Sequence, residues 1–190
     1  MNEDENELKK FEKKEAKFLK YIALDKNRNS SIIKILCDLP PDSSTLIYTC
    51  SVDHAINLSA LMNRYGRKSA CVSAKTSTTE RRMIIDDFRK KRINYLFNYG
   101  VLTTGFDAPK TDHIVLCRPI TNDVLYEQIV GRGMRGTGFK NAKGEPVGTE
   151  ECFIIDFEDT ILQFGPQQSY HRCAHFWEKE ENPIQINEIT

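Results

Sequence analysis

Apolar positions along this chain change period from segment to segment, and the changes mark its elements. Over residues 3–24, Leu8, Phe11, Phe18, Leu19 and Ile22 share one helical face, interrupted by a single polar member, Glu15. Asp25-Lys26-Asn27-Arg28-Asn29 reads as a turn. A second helical stretch near 30–38 places Ile32, Ile33 or Ile35, Leu36 and Leu39 together, and Pro40-Pro41 ends it. Short apolar strands then alternate with amphipathic helices. Strands are expected at Thr45–Thr49, Ser69–Val72, Asn94–Asn98, His113–Cys117 and Cys152–Phe157. Helices are expected at Val52–Tyr65, stopped by Gly66, and at Asp123–Arg132. Another opens at the capping box Ser77-x-x-Glu80 and runs to about Lys91, with Arg81, Ile84, Ile85 and Phe88 on one face. Residues 136–150 read as an exposed loop or hairpin, and His171–Trp177 as a short helix in an irregular tail. Alternating βα units predict an α/β fold, a parallel sheet covered on both faces, with ligand sites at the strand C-termini.

Composition narrows the function classes. Lys+Arg and Asp+Glu both number 27, so the balance is zero, which argues against a strong nonspecific polyanion binder but permits a local basic patch. No apolar run reaches the roughly 18 residues of a membrane helix, and the acidic N-terminus does not resemble a signal peptide. A cytoplasmic protein is expected, nucleoid-associated if bacterial, without membrane contact and monomeric as an isolated domain. The six cysteines are dispersed and none forms Cys-x-x-Cys, so they read as reduced thiols, mostly within apolar runs. His171-x-Cys173-x-His175 lacks a second ligand pair, and no metal site is expected there.

The chemistry concentrates between residues 103 and 135. If Gln128-Ile129-Val130-Gly131-Arg132-Gly133-Met134-Arg135 is helical, Gln128, Arg132 and Arg135 fall at i, i+4 and i+7, on one face. Two arginines one turn apart repel each other unless an anion joins them, and the planar guanidinium grips phosphate oxygens bidentately. Glycine in a helix interior costs about 1 kcal/mol against alanine, so Gly131 calls for close approach of backbone or ligand as compensation. Ser51, Ser73, Lys75 and Thr103 follow strand ends, where hydroxyls, a lysine and helix N-termini suit phosphate contacts. The same residues suit helix capping or turn formation equally well. The Arg89-Lys90-Lys91-Arg92 run reads as a helix C-terminus complementing its dipole. No glycine in the chain is followed by lysine, so no Walker A loop is present. Asp156 ends an apolar strand and reads as a strand-end carboxylate.

These residues carry a resemblance. Gln128-x-x-Gly131-Arg132-x-x-Arg135 resembles motif VI of superfamily 2 helicases and translocases. Thr103-Thr104-Gly105-Phe106-Asp107-Ala108-Pro109 resembles their motif V, and Leu46-Ile47-Tyr48-Thr49-Cys50-Ser51 their motif IV, all in the family's order. The resemblance covers roughly residues 28–160 and implies the second RecA-like domain, a P-loop NTPase-type sheet lacking its own Walker A. Tyr126-Glu127-Gln128 through Arg135, with Phe153–Phe157, is most similar to RadD-like and type III or type I restriction-type DNA translocases of the DEAD/DEAH-box class. The implied domains are a connector at 1–27, the RecA-like domain at 28–165 and a tail at 166–190. The family holds ATP and Mg²⁺ between two RecA-like domains, mainly on the first. The resemblance therefore implies that this chain is half of an engine, inactive alone, whose first domain lies elsewhere in a parent chain or in a partner.

By that resemblance Arg132 and Arg135 act as arginine fingers, and Gln128 orients them or the attacking water. Gly105 brings backbone near the γ-phosphate, Gly131 lies beside it, and Asp107 accepts a hydrogen bond from the ribose or a motif VI arginine. Asp107 also suits a turn before Ala108-Pro109. Thr103 and Thr104 link the ATP and nucleic-acid sites, although the family often carries a charged residue where Thr104 stands. The expected function is the motor half of an ATP-dependent DNA helicase or translocase. The alternatives are an RNA helicase domain and a non-catalytic nucleic-acid-binding or interaction module.

Overall fold

A computed structural model of the chain describes residues 3–101, 110–120, 123–133, 143–144 and 151–157. Five helices and five strands occur there in the order α1 (Glu3–Leu24), α2 (Lys26–Asp38), β1 (Thr45–Tyr48), α3 (Val52–Arg64), β2 (Ser69–Val72), α4 (Thr78–Arg89), β3 (Tyr95–Asn98), β4 (His113–Leu116), α5 (Asp123–Gly133) and β5 (Phe153–Asp156). All strand pairs are parallel, in the order β2-β3-β1-β4-β5. Every strand therefore ends at the same edge of the sheet, and the segments that follow them gather there.

The strands read as continuous apolar runs because both sheet faces are covered. Side-chain alternation sends Leu46, Tyr48, Val72, Leu96, Ile114 and Leu116 to one face, where Phe88 of α4 and Tyr126, Ile129 and Val130 of α5 pack on them. Ile47, Tyr95, Phe97, Val115 and Cys117 face the other way, onto Ile32, Ile33 and Leu36 of α2 and Ala55, Leu58 and Met62 of α3. Each such fully buried large side chain contributes about 1.5–3 kcal/mol. A third cluster joins Leu19 and Ile22 of α1 to Cys50, just past β1. The C-terminal part of α1 thus docks at the edge where the strands end.

The predicted elements match the observed ones closely, with one correction. Residues 25–29 are not a turn: Asp25 alone separates α1 from α2, and its carboxylate accepts from Arg28 N, capping a helix that already begins at Lys26. The first turn of α2 is polar because its buried stripe starts only at Ile32. Capping predictions hold elsewhere. Ser77 Oγ accepts from Glu80 N at 3.2 Å to open α4. Gly66, at φ +75°, closes α3 in a Schellman arrangement: Arg67 N donates to Met62 O and Gly66 N to Asn63 O. Cys37, Cys71 and Cys152 are free thiols, while Cys50 Sγ donates to Cys117 O; burial pushes Cys71 up to about 11 and Cys152 to about 12, so both stay protonated and unreactive at neutral pH. Among the described residues, no helix is long and apolar enough to cross a membrane.

Candidate ATP and nucleic-acid interface

Five chain exits line the edge where the strands end, and the first four carry the candidate residues. After β1, Thr49 Oγ1 donates to Asn98 O at 2.9 Å, tying that exit to β3. Ser51 is then the N-cap of α3, its Oγ accepting from His54 N at 3.1 Å. After β2, Ser73 is buried and held twice: its N donates to Thr76 Oγ1 at 3.0 Å, and its Oγ accepts from Lys75 N at 3.2 Å. Lys75 is exposed. The capping and turn roles open to Ser51 and Ser73 are therefore both in use. Their backbone positions still lie at the edge, with Lys75 as the exposed cation there.

Arg81 organises the β2 exit. It lies one turn into α4, and its Nη2 donates to Ser73 O at 3.0 Å and to Thr76 O at 3.4 Å. The sequence marks Arg81 only as the polar member of an apolar face. Its partners are backbone carbonyls of a loop, which no side-chain pattern encodes.

After β3 the chain passes Tyr99 and Gly100, at φ +70°, before Val101. Thr103, Thr104, Gly105 and Asp107, the motif V positions, lie outside the described residues. After β4 the chain enters α5, which buries Tyr126, Ile129 and Val130 and exposes Val124, Glu127, Gln128 and Gly131. Gln128 and Arg132 lie in one helix, one turn apart, as the spacing requires. Arg135 lies outside the described residues. A Cβ built on Gly131 meets nothing within 4 Å, so close packing among the described residues does not explain that glycine.

An exposed amide and an open glycine on one helix face do not make a cradle for a whole nucleotide, which needs several amides converging on the phosphates. Asp156 Oδ1 accepts from Phe157 N at 2.8 Å, the behaviour of a strand-end carboxylate. Among the described residues, no three His, Cys, Asp or Glu side chains gather as metal ligands.

A polar network lies under this edge, and its members were not singled out from sequence. His54 is buried; its Nδ1 accepts from Cys50 N at 3.3 Å, so its Nε2 carries the hydrogen and donates to Asn29 Oδ1 at 2.9 Å. Burial, and then the charge of Arg28, lower its pKa from 6.5 to about 4. Asn29 Nδ2 donates to Ala23 O at 2.9 Å, and Arg28 Nη1 to Cys117 O at 3.1 Å.

This parallel sheet, helix-covered on both faces with every strand ending at one edge, is a RecA-like fold of the superfamily 2 C-terminal kind. Residues 27–137 match the helicase conserved C-terminal domain, and the chain belongs to that family. It is 33% identical over 149 residues to irc3 of Schizosaccharomyces pombe, a candidate mitochondrial ATP-dependent helicase, covering 75% of this chain and 23% of that protein. It is 34% identical over 114 residues to IRC3 of Saccharomyces cerevisiae, a candidate ATP-dependent helicase, covering 60% of this chain and 15% of that protein. The chain thus spans less than a quarter of the length of these relatives. Among solved structures, the C-terminal domain of the DEAD-box protein Dbp5 superposes with a TM-score of 0.59 at 17% identity, covering 82% of each chain. That likeness establishes the fold.

Proposed function

We propose that this chain is the second motor domain of an ATP-dependent nucleic-acid helicase or translocase, closing on ATP held by a first RecA-like domain. The observation that carries the reading is α5: it leaves the site edge of the sheet with Gln128 exposed, Arg132 one turn on, and an unpacked glycine between them. Arg132 and Arg135 are the arginine fingers. Charge builds on the γ-phosphoryl oxygens during transfer, and a positioned arginine stabilises it by about 10³–10⁵ in rate. Gln128 orients the arginines or the attacking water. Gly105, Asp107 and Gly131 are the nucleotide-side positions, and Mg²⁺ belongs mainly to the first domain, whose Walker A residues this chain lacks.

Ser51, Ser73, Lys75, Thr103 and Thr104 form the nucleic-acid track. Its chemistry is phosphate contact from helix N-termini, hydroxyls and one lysine, which carries no base information. DNA is the favoured substrate, on the similarity to restriction-type and RadD-like translocases. The domain limits follow the same reading, with 1–27 as connector, 28–165 as motor domain and 166–190 as tail.

The test is nucleic-acid-stimulated ATPase of the full-length parent protein beside Arg132→Ala and Arg135→Ala. Both variants should lose about 10³-fold or more in stimulated kcat with ATP binding largely kept, and the 190-residue chain alone should show no stimulated activity. Single-stranded DNA, duplex DNA and RNA compared as stimulators identify the substrate. A parent indifferent to both changes refutes the arginine-finger role. A parent without ATPase under every stimulator makes this domain a binding module.

A further inference from the structure

Glu15 interrupts the apolar face of α1 for a reason found far along the chain. Its Oε1 accepts from Arg118 Nη2 at 3.2 Å, with only 16% of the glutamate side chain and 22% of the arginine side chain exposed. The Arg118 guanidinium also stacks over Tyr99, 5.8 Å from the ring centroid, within cation–π range. Its Nε makes a long contact to Pro119 O at 3.4 Å. Tyr99 is the first residue past β3, on the way to Thr103–Asp107. Arg118 is the second residue past β4, on the way to α5. One guanidinium therefore touches both exits that lead to the arginine-finger machinery, and a helix that belongs to neither.

The neighbouring contacts point the same way. Arg28, at the start of α2, donates to Cys117 O and lies over the Phe157 ring at 4.8 Å. Asn29 and His54 tie α2 to the β1 exit. The α1–α2 unit thus contacts the exits of β1 and β4 and the end of β5, and reaches the β3 exit only through Arg118. A shielded ion pair is weak evidence for net stability, since desolvation offsets the attraction. Breaking it strands a charge, so it is well suited to holding two elements in one register.

We infer that Arg118 is a positioning residue that, through Glu15 and Tyr99, couples the placement of α1 to the exits carrying motifs V and VI. A displacement of α1 is then transmitted to the ATP-facing residues, and an ATP-driven rearrangement there is transmitted back to α1. This rests on the motor-domain reading above.

The experiment is a charge swap in the full-length parent: Glu15→Arg, Arg118→Glu and the double variant. Each is read by ATP titration of the stimulated ATPase and by thermal melting. Each single change should lower kcat about tenfold, with KM for ATP within about twofold of wild type, and the double should recover the part of the loss carried by the ion pair but not the part carried by the stack over Tyr99. Glu15→Gln and Arg118→Lys serve where a swapped single variant does not fold. They should give smaller losses of the same kind, because lysine keeps the charge but not the planar stack. Singles within about twofold of wild type would overturn the inference. So would a double variant that melts like wild type yet is no faster than the slower single. A parent that loses activity on Arg132→Ala but ignores every change at Glu15 and Arg118 refutes this coupling alone. A parent without stimulated ATPase removes the motor reading and the coupling together.

Discussion

Gly131 lies on the exposed face of α5 with open space where a Cβ would be. Within this chain, glycine there is a loss: alanine would stabilise the helix by about 1 kcal/mol through reduced backbone entropy. The sequence called for close approach of backbone or ligand to compensate, and packing among the described residues does not supply it. The proposed function supplies it as a phosphate or a facing domain. Gly131→Ala should therefore raise the melting temperature of the 190-residue chain while lowering stimulated ATPase in the parent. A raised melting temperature with full ATPase would remove Gly131 from the nucleotide side. Glu15 and Arg81 teach the same lesson in reverse. Both are polar residues on otherwise apolar helix faces, and both are answered by partners that helical periodicity does not identify.

At the scale of elements, local rules were followed where they were local. Ser77 caps α4, Gly66 closes α3, and Asp25 caps α2 although its neighbours look like a turn. The basic run after α4 behaves as a helix end. Arg89 lies in its last turn, Lys90 pairs with Asp86 and Arg92 with Asp86 and Asp87. The Lys90 hydrogen bond, foremost, holds the Asp86 carboxyl below its ordinary pKa. Ser51 serves α3 as its cap, and the proposed function asks it to meet phosphate as well. One substitution separates the roles. Aspartate caps as well as serine and suits the helix dipole, but repels phosphate. Ser51→Asp should melt like wild type and bind nucleic acid several-fold more weakly in an anisotropy titration, whereas Ser51→Ala should cost about 1 kcal/mol of stability. Unchanged affinity in Ser51→Asp would leave Ser51 a cap and nothing more.

For the whole molecule, His54 is the weld between α2, α3 and the β1 exit, so its titration acts on global stability. Its folded pKa of about 4 lies below the unfolded value of 6.5. Between those values the unfolded chain binds more protons, so this contribution is complete above about pH 6.5 and is lost as pH falls toward 4. By about pH 4.5 the loss amounts to about 2–3 kcal/mol. Denaturant unfolding at about pH 7 and pH 4.5 should show wild type losing more stability over that interval than His54→Gln by roughly this amount. Equal losses would mean that His54 titrates in the folded protein as it does in the unfolded chain.

Repeating β and α periodicity, caps and glycine stops were enough to place nearly every described element within a residue or two, because those signals depend on neighbours a turn or a strand away. The α/β class followed from their alternation, and the motif order within residues 46–135 named the superfamily. Tertiary structure alone decided the strand order β2-β3-β1-β4-β5, since similar apolar strands buried on both faces carry no label for their neighbours. It alone also joined Glu15 to Arg118 and Asn29 to His54. Those pairs are 103 and 25 residues apart. Pairing over such distances is a property of the packed chain, and no local period in the sequence records it.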